Sequence, residues 1–243
     1  MRLGVDIRCL QDKHLTGVGE VTMRTLEHLP DHISLTGFAN AAQQTTLPDT
    51  ISKRLKIVHG GTPNRLRNLA FYAGVGPTIN TILAQAQHPI DVLWLPNPSF
   101  VHVSPELPTV LTIHDISFIH YPEYFPWRPR IWYLPAVKQQ LARGLKKNWH
   151  IVAVSQHTAK DLLEQFPKLK NNLHIITPGV GDEFFIQPTL GEIADVLTKY
   201  KLPKQYLLST GTIEPRKNHQ ILLEAYTKLV ATDHNFPYDL VIA

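Results

Sequence analysis

Short runs of Val, Ile and Leu alternate along the chain with longer segments whose apolar residues recur at helical spacing. The short runs predict strands over 3–7, 34–38, 55–58, 91–95, 109–113, 151–154, 174–176, 206–209 and 239–242. The longer segments predict helices over 19–29, 64–86, 130–147, 156–166, 190–200 and 219–231. Several strand runs are continuous rather than alternating, as in strands covered on both faces. Strand and helix succeed one another in the βαβα order of a parallel, doubly wound α/β sheet. The turn-rich stretch Thr177-Pro178-Gly179-Val180-Gly181-Asp182 marks a boundary near residue 180. Residues 1–178 are read as one domain, 179–204 as a linker region and 205–243 as the opening β-α-β unit of a second domain. A lone β-α-β unit leaves most of its apolar surface exposed. The chain is therefore expected to be a piece of a longer protein, ending inside its second domain.

Composition narrows the class. At roughly 150 residues per domain, 243 residues make one large domain or two small ones. A hydrophobic content of 43% with 18% charged residues suffices for a sizeable core. The net charge of +4 suits anionic ligands or an anionic surface. The densest basic patch is only Lys146-Lys147 beside Arg143, so a nucleic-acid partner is not expected. A single cysteine, Cys9, forms no internal disulfide and fits a reducing, cytoplasmic setting. Arg2, Asp6, Arg8 and Asp12 interrupt any signal peptide. The longest charge-free stretch, 68–90, contains Pro77, Asn80, Gln85 and Gln87 and is too polar to span a membrane. It is read as a buried helix, with an interfacial helix as the alternative.

The densest chemistry lies in Ser209-Thr210-Gly211-Thr212-Ile213-Glu214-Pro215-Arg216-Lys217-Asn218, between a strand and a helix. Cations at a helix start oppose the partial positive charge of that end. An anion there would remove the conflict, with Arg216, Lys217 and backbone N–H groups converging on a phosphate or diphosphate. Two solvated side chains on a loop are the plainer alternative. Gly17 and Gly19 precede a helix, where glycine permits close backbone approach to a ligand or simply makes a turn. His114 and Asp115 follow the strand at 109–113, at a carboxyl end where ligands of open α/β sheets gather. The imidazole could donate to a sugar hydroxyl, with the acid fixing its tautomer or orienting the loop. The alternative is a His satisfied by local backbone. Seven of the 21 aromatic residues fall between Phe118 and Tyr133, with Arg128 and Arg130 among them. That mixture suits sugar stacking, a lipid headgroup or a membrane interface, or plain helix-to-sheet packing. The chain has no D-x-D triplet, no G-x-S-x-G elbow and no G-x-G-x-x-G after the first strand. Metal-dependent nucleotide-sugar binding, α/β-hydrolase chemistry and dinucleotide binding are thus unsupported. The 13 scattered histidines predict no metal site.

Gly211 to Asn218, GTIEPRKN, resembles the donor-diphosphate loop of GT-B glycosyltransferases of the family 4 group, written GTxEPRKN. Other segments agree in the same order. LTGVGE (15–20) resembles the family's N-terminal Gly loop TGIGRY, and TIHDISF (112–118) resembles its TIHDLSF segment. VSQHTAKDL (154–162) resembles VSxxSxxDL, and ITPGV (176–180) the IxNGV stretch before the linker. The resemblance spans nearly the whole chain. It departs at Glu20, where the family has Arg, at Val21 for Tyr and at Pro178 for Asn. The family's acidic E-x7-E motif would lie beyond residue 243.

The resemblance implies a Rossmann-like N-terminal domain of a GT-B fold plus the first β-α-β unit of a second Rossmann-like domain. It implies a retaining, metal-independent transferase that moves a sugar from a nucleotide diphosphate donor to a glycan or lipid-linked acceptor. The TIHDLSF-like segment points to mannosyltransferase-type members, hence to GDP-mannose. On this reading His114 is the catalytic-site residue that holds the donor sugar. Arg216, Lys217, Gly17 and Gly19 bind the diphosphate, supported by Asp115, Gly211, Glu214 and Ser155. Tyr124, Trp127, Arg128 and Arg130 form the acceptor or membrane side. No cofactor or metal is implied. The expected location is cytoplasmic, peripheral to the inner membrane face, and the piece by itself is expected to be inactive. The rival readings are a GT-B-like sugar-nucleotide epimerase and a non-catalytic fragment that binds glycans or partner proteins.

Overall fold

A computed structural model describes the chain except residues 12–14, 40–46, 63, 126 and 148; the side chains of 64, 127–133, 146 and 147 also lie outside the described residues. The chain divides into two units, Met1–Pro178 and Gly179–Ala243.

The first unit is built on seven strands: β1 (Arg2–Asp6), β2 (Ser34–Ala39), β3 (Leu55–His59), β4 (Val92–Leu95), β5 (Thr109–Ile113), β6 (His150–Ala153) and β7 (Leu173–Ile175). They form one parallel sheet in the order β3-β2-β1-β4-β5-β6-β7. Each lies within one residue of the run that predicted it. Two apolar clusters flank the sheet, and β2 serves both, sending Leu35 and Ala39 into one and Phe38 into the other. That alternation of side chains across a strand is why the runs are apolar throughout. The strand order reverses between β1 and β4, which opens a crevice at their carboxyl ends.

The helices of this unit are α1 (Gly17–His28), α2 (Asp49–Ser52), α3 (Asn64–Ala73), α4 (Ile79–Gln85), α5 (Ser117–His120), α6 (Trp127–Lys147) and α7 (Gln156–Gln165). The single helix expected over 64–86 is instead two. Gly74 and Gly76 take positive φ angles of 70° and 78°, and Pro77 cannot donate to a continuing helix. Thr78 then caps α4, its hydroxyl accepting from the Thr81 N–H at 3.2 Å. Nor is the charge-free stretch simply buried. α4 hides Ile79 and Leu83, whereas α3 turns Leu66, Leu69 and Tyr72 outward.

The second unit holds α8 (Leu190–Lys199), α9 (His219–Thr232) and two parallel strands, β8 (Tyr206–Ser209) and β9 (Asp239–Ile242). Thr189 and Glu192 form a reciprocal capping box at the start of α8. None of residues 179–243 is buried. Among the described residues of the chain, no helix is long and apolar enough to cross a membrane.

Candidate functional site

The carboxyl ends of β1, β4 and β5 converge on a set of polar contacts. His114 directly follows β5 and is half-buried. Its Nε2 lies 3.1 Å from the Pro96 carbonyl, just past β4. A carbonyl only accepts, so Nε2 carries the proton and Nδ1 of the neutral ring carries a lone pair. Burial pushes the imidazole below its ordinary pKa of 6.5, against smaller raising effects from the Pro96 bond and the Asp115 charge. The neutral form therefore dominates near pH 7.

The neighbours of His114 fix its backbone. Thr158 Oγ1 donates to the His114 carbonyl at 3.1 Å and receives the Ser155 hydroxyl at 3.0 Å. Ser155 in turn caps α7 by accepting the Thr158 N–H at 3.0 Å. The two segments 112–118 and 154–162 are thus joined by the Thr158 hydroxyl, which Ser155 supports. Asp115 does not engage the imidazole through a hydrogen bond. Its carboxylate accepts from the Ser117 N–H at 3.1 Å and the Ser117 hydroxyl at 2.7 Å, which holds the start of α5. Of its two expected tasks, orienting the loop is the one its bonds perform.

A buried charge cluster at the carboxyl end of β1 escaped the sequence reading. Arg8 grips Asp6 through two nitrogens, at 2.8 and 2.6 Å, with only 10% and 2% of the two side chains exposed. Ser99 donates to Asp6 at 2.9 Å, and Arg8 reaches Ser99 at 2.8 Å, the Phe100 carbonyl at 3.0 Å and Asn68 at 3.2 Å. The cluster ties the segment after β1 to the segment after β4, at the point where strand order reverses. The sequence did carry one signal: an acid and an Arg two residues apart at a strand's carboxyl end.

The Gly loop follows from here. A short helical turn, Arg8–Leu10, leads toward α1, whose N-cap Thr16 accepts the Gly19 N–H at 3.4 Å. A Cβ at Gly19 would stand 2.8 Å from Leu15 Cδ2 and 3.4 Å from the Cys9 carbonyl, so a side chain here would have to push the Leu15 tip aside. At Gly17 a Cβ would meet nothing within 4 Å. The two glycines do different work, and Gly17 is the one left facing open space.

In the second unit the loop after β8 folds on itself. Gly211 adopts a φ of 143°, open only to glycine, and the aliphatic stem of Lys217 runs past it. Arg216 pairs with Glu214 at 2.6 Å, and Thr212 donates to the same carboxylate at 2.6 Å. These two bonds hold the Glu214 carboxyl below the usual carboxylate range, with the Thr212 bond the larger cause. The two cations stand in a turn, Pro215–Lys217, and Asn218 in left-handed conformation separates them from α9, accepting the Ile221 N–H at 3.5 Å. Glu214 therefore answers part of the charge conflict that the sequence raised. Tyr124 is exposed and stacks on Tyr121 with ring centroids 5.9 Å apart. The side chains of Trp127, Arg128 and Arg130 lie outside the described residues.

The Gly loop, the His-Asp pair at the end of β5 and the capped Ser155 all lie in a stretch that matches a known family. Residues 15–184 match the model of Glycosyltransferase Family 4. The chain belongs to glycosyltransferase family 4. The family match takes in Gly17, Gly19, His114 and Ser155 and ends before the loop at 209–218. The chain is 32% identical over 135 residues to O-antigen chain mannosyltransferase B of Escherichia coli, a stretch that is 55% of this chain and 34% of that protein. It is 37% identical over 82 residues to serotype-specific mannosyltransferase WbdA of Escherichia coli, 33% of this chain and 10% of that one. This family 4 chain thus spans about a third of the first relative and a tenth of the second. A crystal structure of a glycosyltransferase from Rickettsia africae ESF-5 shares the fold, with a TM-score of 0.52 at 14% identity, over 99% of this chain and 67% of that one.

Proposed function

We propose that the chain supplies the acceptor-side domain, and the opening of the donor domain, of a retaining mannosyltransferase. The enzyme moves mannose from GDP-mannose to a hydroxyl of a glycan or lipid-linked acceptor. The observation that carries the reading is the neutral His114, anchored by Nε2 to Pro96 at the strand-order reversal with Nδ1 left to accept from a sugar hydroxyl. This refines the expected role: the ring would accept a bond from the donor sugar rather than donate one. The names of the two Escherichia coli relatives support mannose. Arg216 and Lys217 would offset charge on the departing diphosphate, which is the main task of such a site. In the first unit, Gly17 would let the α1 end approach an anionic group. Family 4 membership supports retention of anomeric configuration and a reaction without a metal or other cofactor. The peripheral, cytoplasmic placement belongs to the same proposal.

The test uses an enzyme that carries this sequence with a complete donor domain. GDP-mannose and UDP-glucose are offered separately, and transfer to a mannose-terminated oligosaccharide is followed by mass spectrometry. Transfer from GDP-mannose is expected, and His114→Ala is expected to lower kcat by roughly a hundredfold. Equal turnover of the His114→Ala enzyme would sink the assignment, and transfer from UDP-glucose alone would overturn the donor.

A further inference from the structure

β6 and β7 close one edge of the sheet in the first unit. Side chains alternate across a strand. Ile151 and Ala153 of β6 and Leu173 of β7 therefore share the face that packs into an apolar cluster. His150 and Val152 occupy the other face. The register sets His174 opposite Val152, so His174 stands on that face too, diagonally across from His150. Both histidines are exposed. They lie 24 residues apart in sequence, which is why the scatter of histidines along the chain conceals them.

His150 Nδ1 and His174 Nε2 are 3.0 Å apart, so one ring donates a proton and the other accepts it. Among the described residues, neither His150 Nε2 nor His174 Nδ1 has a hydrogen-bond partner. Two imidazole nitrogens held side by side on one metal, each at about 2.0–2.1 Å, stand about 2.9–3.4 Å from each other. The observed gap falls in that range. The rings are inclined at 41° with centroids 5.1 Å apart, and a small turn of each exposed ring brings both lone pairs to one point. The donor ring shifts its proton to its outer nitrogen, where water accepts the N–H, so the pair loses no proton.

Ligand chemistry selects the cation. Imidazole suits Zn²⁺, Cu²⁺ and Ni²⁺, whereas Mg²⁺ and Ca²⁺ take oxygen ligands. No third His, Cys, Asp or Glu joins the pair among the described residues, so water would complete the coordination sphere.

We propose that His150 and His174 form a two-histidine site for a divalent transition metal such as Zn²⁺. The metal bridges β6 to β7. β7 is an edge strand of three residues, paired on one side only, and it leads into residues 176–178, where the first unit ends. The bound metal clamps that last strand to the sheet. The site stands at the amino end of β6, whereas His114 follows the carboxyl end of β5. The inference does not rest on the transfer reaction, and its test reads binding and stability alone.

The untagged 243-residue chain is titrated with Zn²⁺ by calorimetry, and the imidazole signals are followed by NMR. The signals of His150 and His174 are expected to move together, and the thermal midpoint to rise with metal concentration. His150→Ala and His174→Ala are each expected to weaken the affinity at least roughly tenfold, the loss that removal of a group merely supporting a ligand causes, and to abolish the thermal shift. His157→Ala, at another exposed histidine on α7, is expected to leave both unchanged. Mg²⁺ is expected to produce neither response. Circular dichroism checks that each variant is folded. Signals of His150 and His174 that stay still in Zn²⁺, an equal loss in His157→Ala, or the same response to Mg²⁺ overturns the proposal.

Discussion

Two guanidinium–carboxylate pairs of the same 2.6 Å length sit in the two units, and they are not equivalent. Asp6–Arg8 is almost wholly buried under the loops after β1 and β4, whereas Glu214–Arg216 leaves 29% and 43% of its side chains exposed. The contrast extends to the units themselves. The first has two apolar clusters against its sheet, and residues 179–243 have no buried residue at all. Both follow the same parallel strand-helix logic. What differs is cover, and cover sets the dielectric in which a pair acts and the free energy that an apolar side chain contributes.

The largest expected effect breaks the buried pair. Asp6→Ala strands Arg8 without its counter-charge and should cost about 3–5 kcal/mol in denaturant unfolding. Glu214→Ala should cost under about 1 kcal/mol, since water screens the pair it removes. Equal costs would show that burial does not separate them. Next comes packing. Leu111→Ala, in the fully buried middle of β5, should destabilise by about 2–5 kcal/mol. Leu208→Ala on β8, 56% exposed, should fall within about 0.5 kcal/mol of the parent chain.

Caps give a smaller difference. Ser155→Ala removes a 3.0 Å cap and the link through Thr158 to His114, at a cost of about 1 kcal/mol. Asn218→Ala loses a cap of 3.5 Å and should cost less. The smallest effect depends on pH. The pKa of His114 is lowered in the folded chain, so the unfolded chain binds more protons as pH falls below 6.5. The stability due to the neutral ring is full above that value and is lost as pH drops toward the folded pKa. His114→Gln should flatten this limb, and an imidazole NMR titration in the parent chain should give a midpoint below 6.5. A midpoint above it would contradict the burial-driven shift.

Particular residues show what could be read early. The strand runs were legible because sheets covered on both faces demand continuous Val, Ile and Leu. His114 was legible because the end of such a run is a fixed place in a parallel sheet. The break in the helix expected over 64–86 was written in Gly74, Gly76 and Pro77, but the apolar periodicity on either side outweighed it. Of the Asp6–Arg8 cluster only the acid and the Arg at a strand end were legible, because the partners Asn68, Ser99 and Phe100 lie 60 to 92 residues from Arg8 in sequence.

The sequence by itself determined the α/β class, the parallel strands and the ordered motifs of family 4, all of which rest on local periodicity and short spacings. Only the tertiary structure decided which charges are buried, which ring nitrogen of His114 is free, that Gly19 packs while Gly17 faces open space, and that α3 turns its leucines outward. Those properties depend on which distant segments come into contact and exclude water. That is fixed by strand order, not by any stretch of sequence read alone.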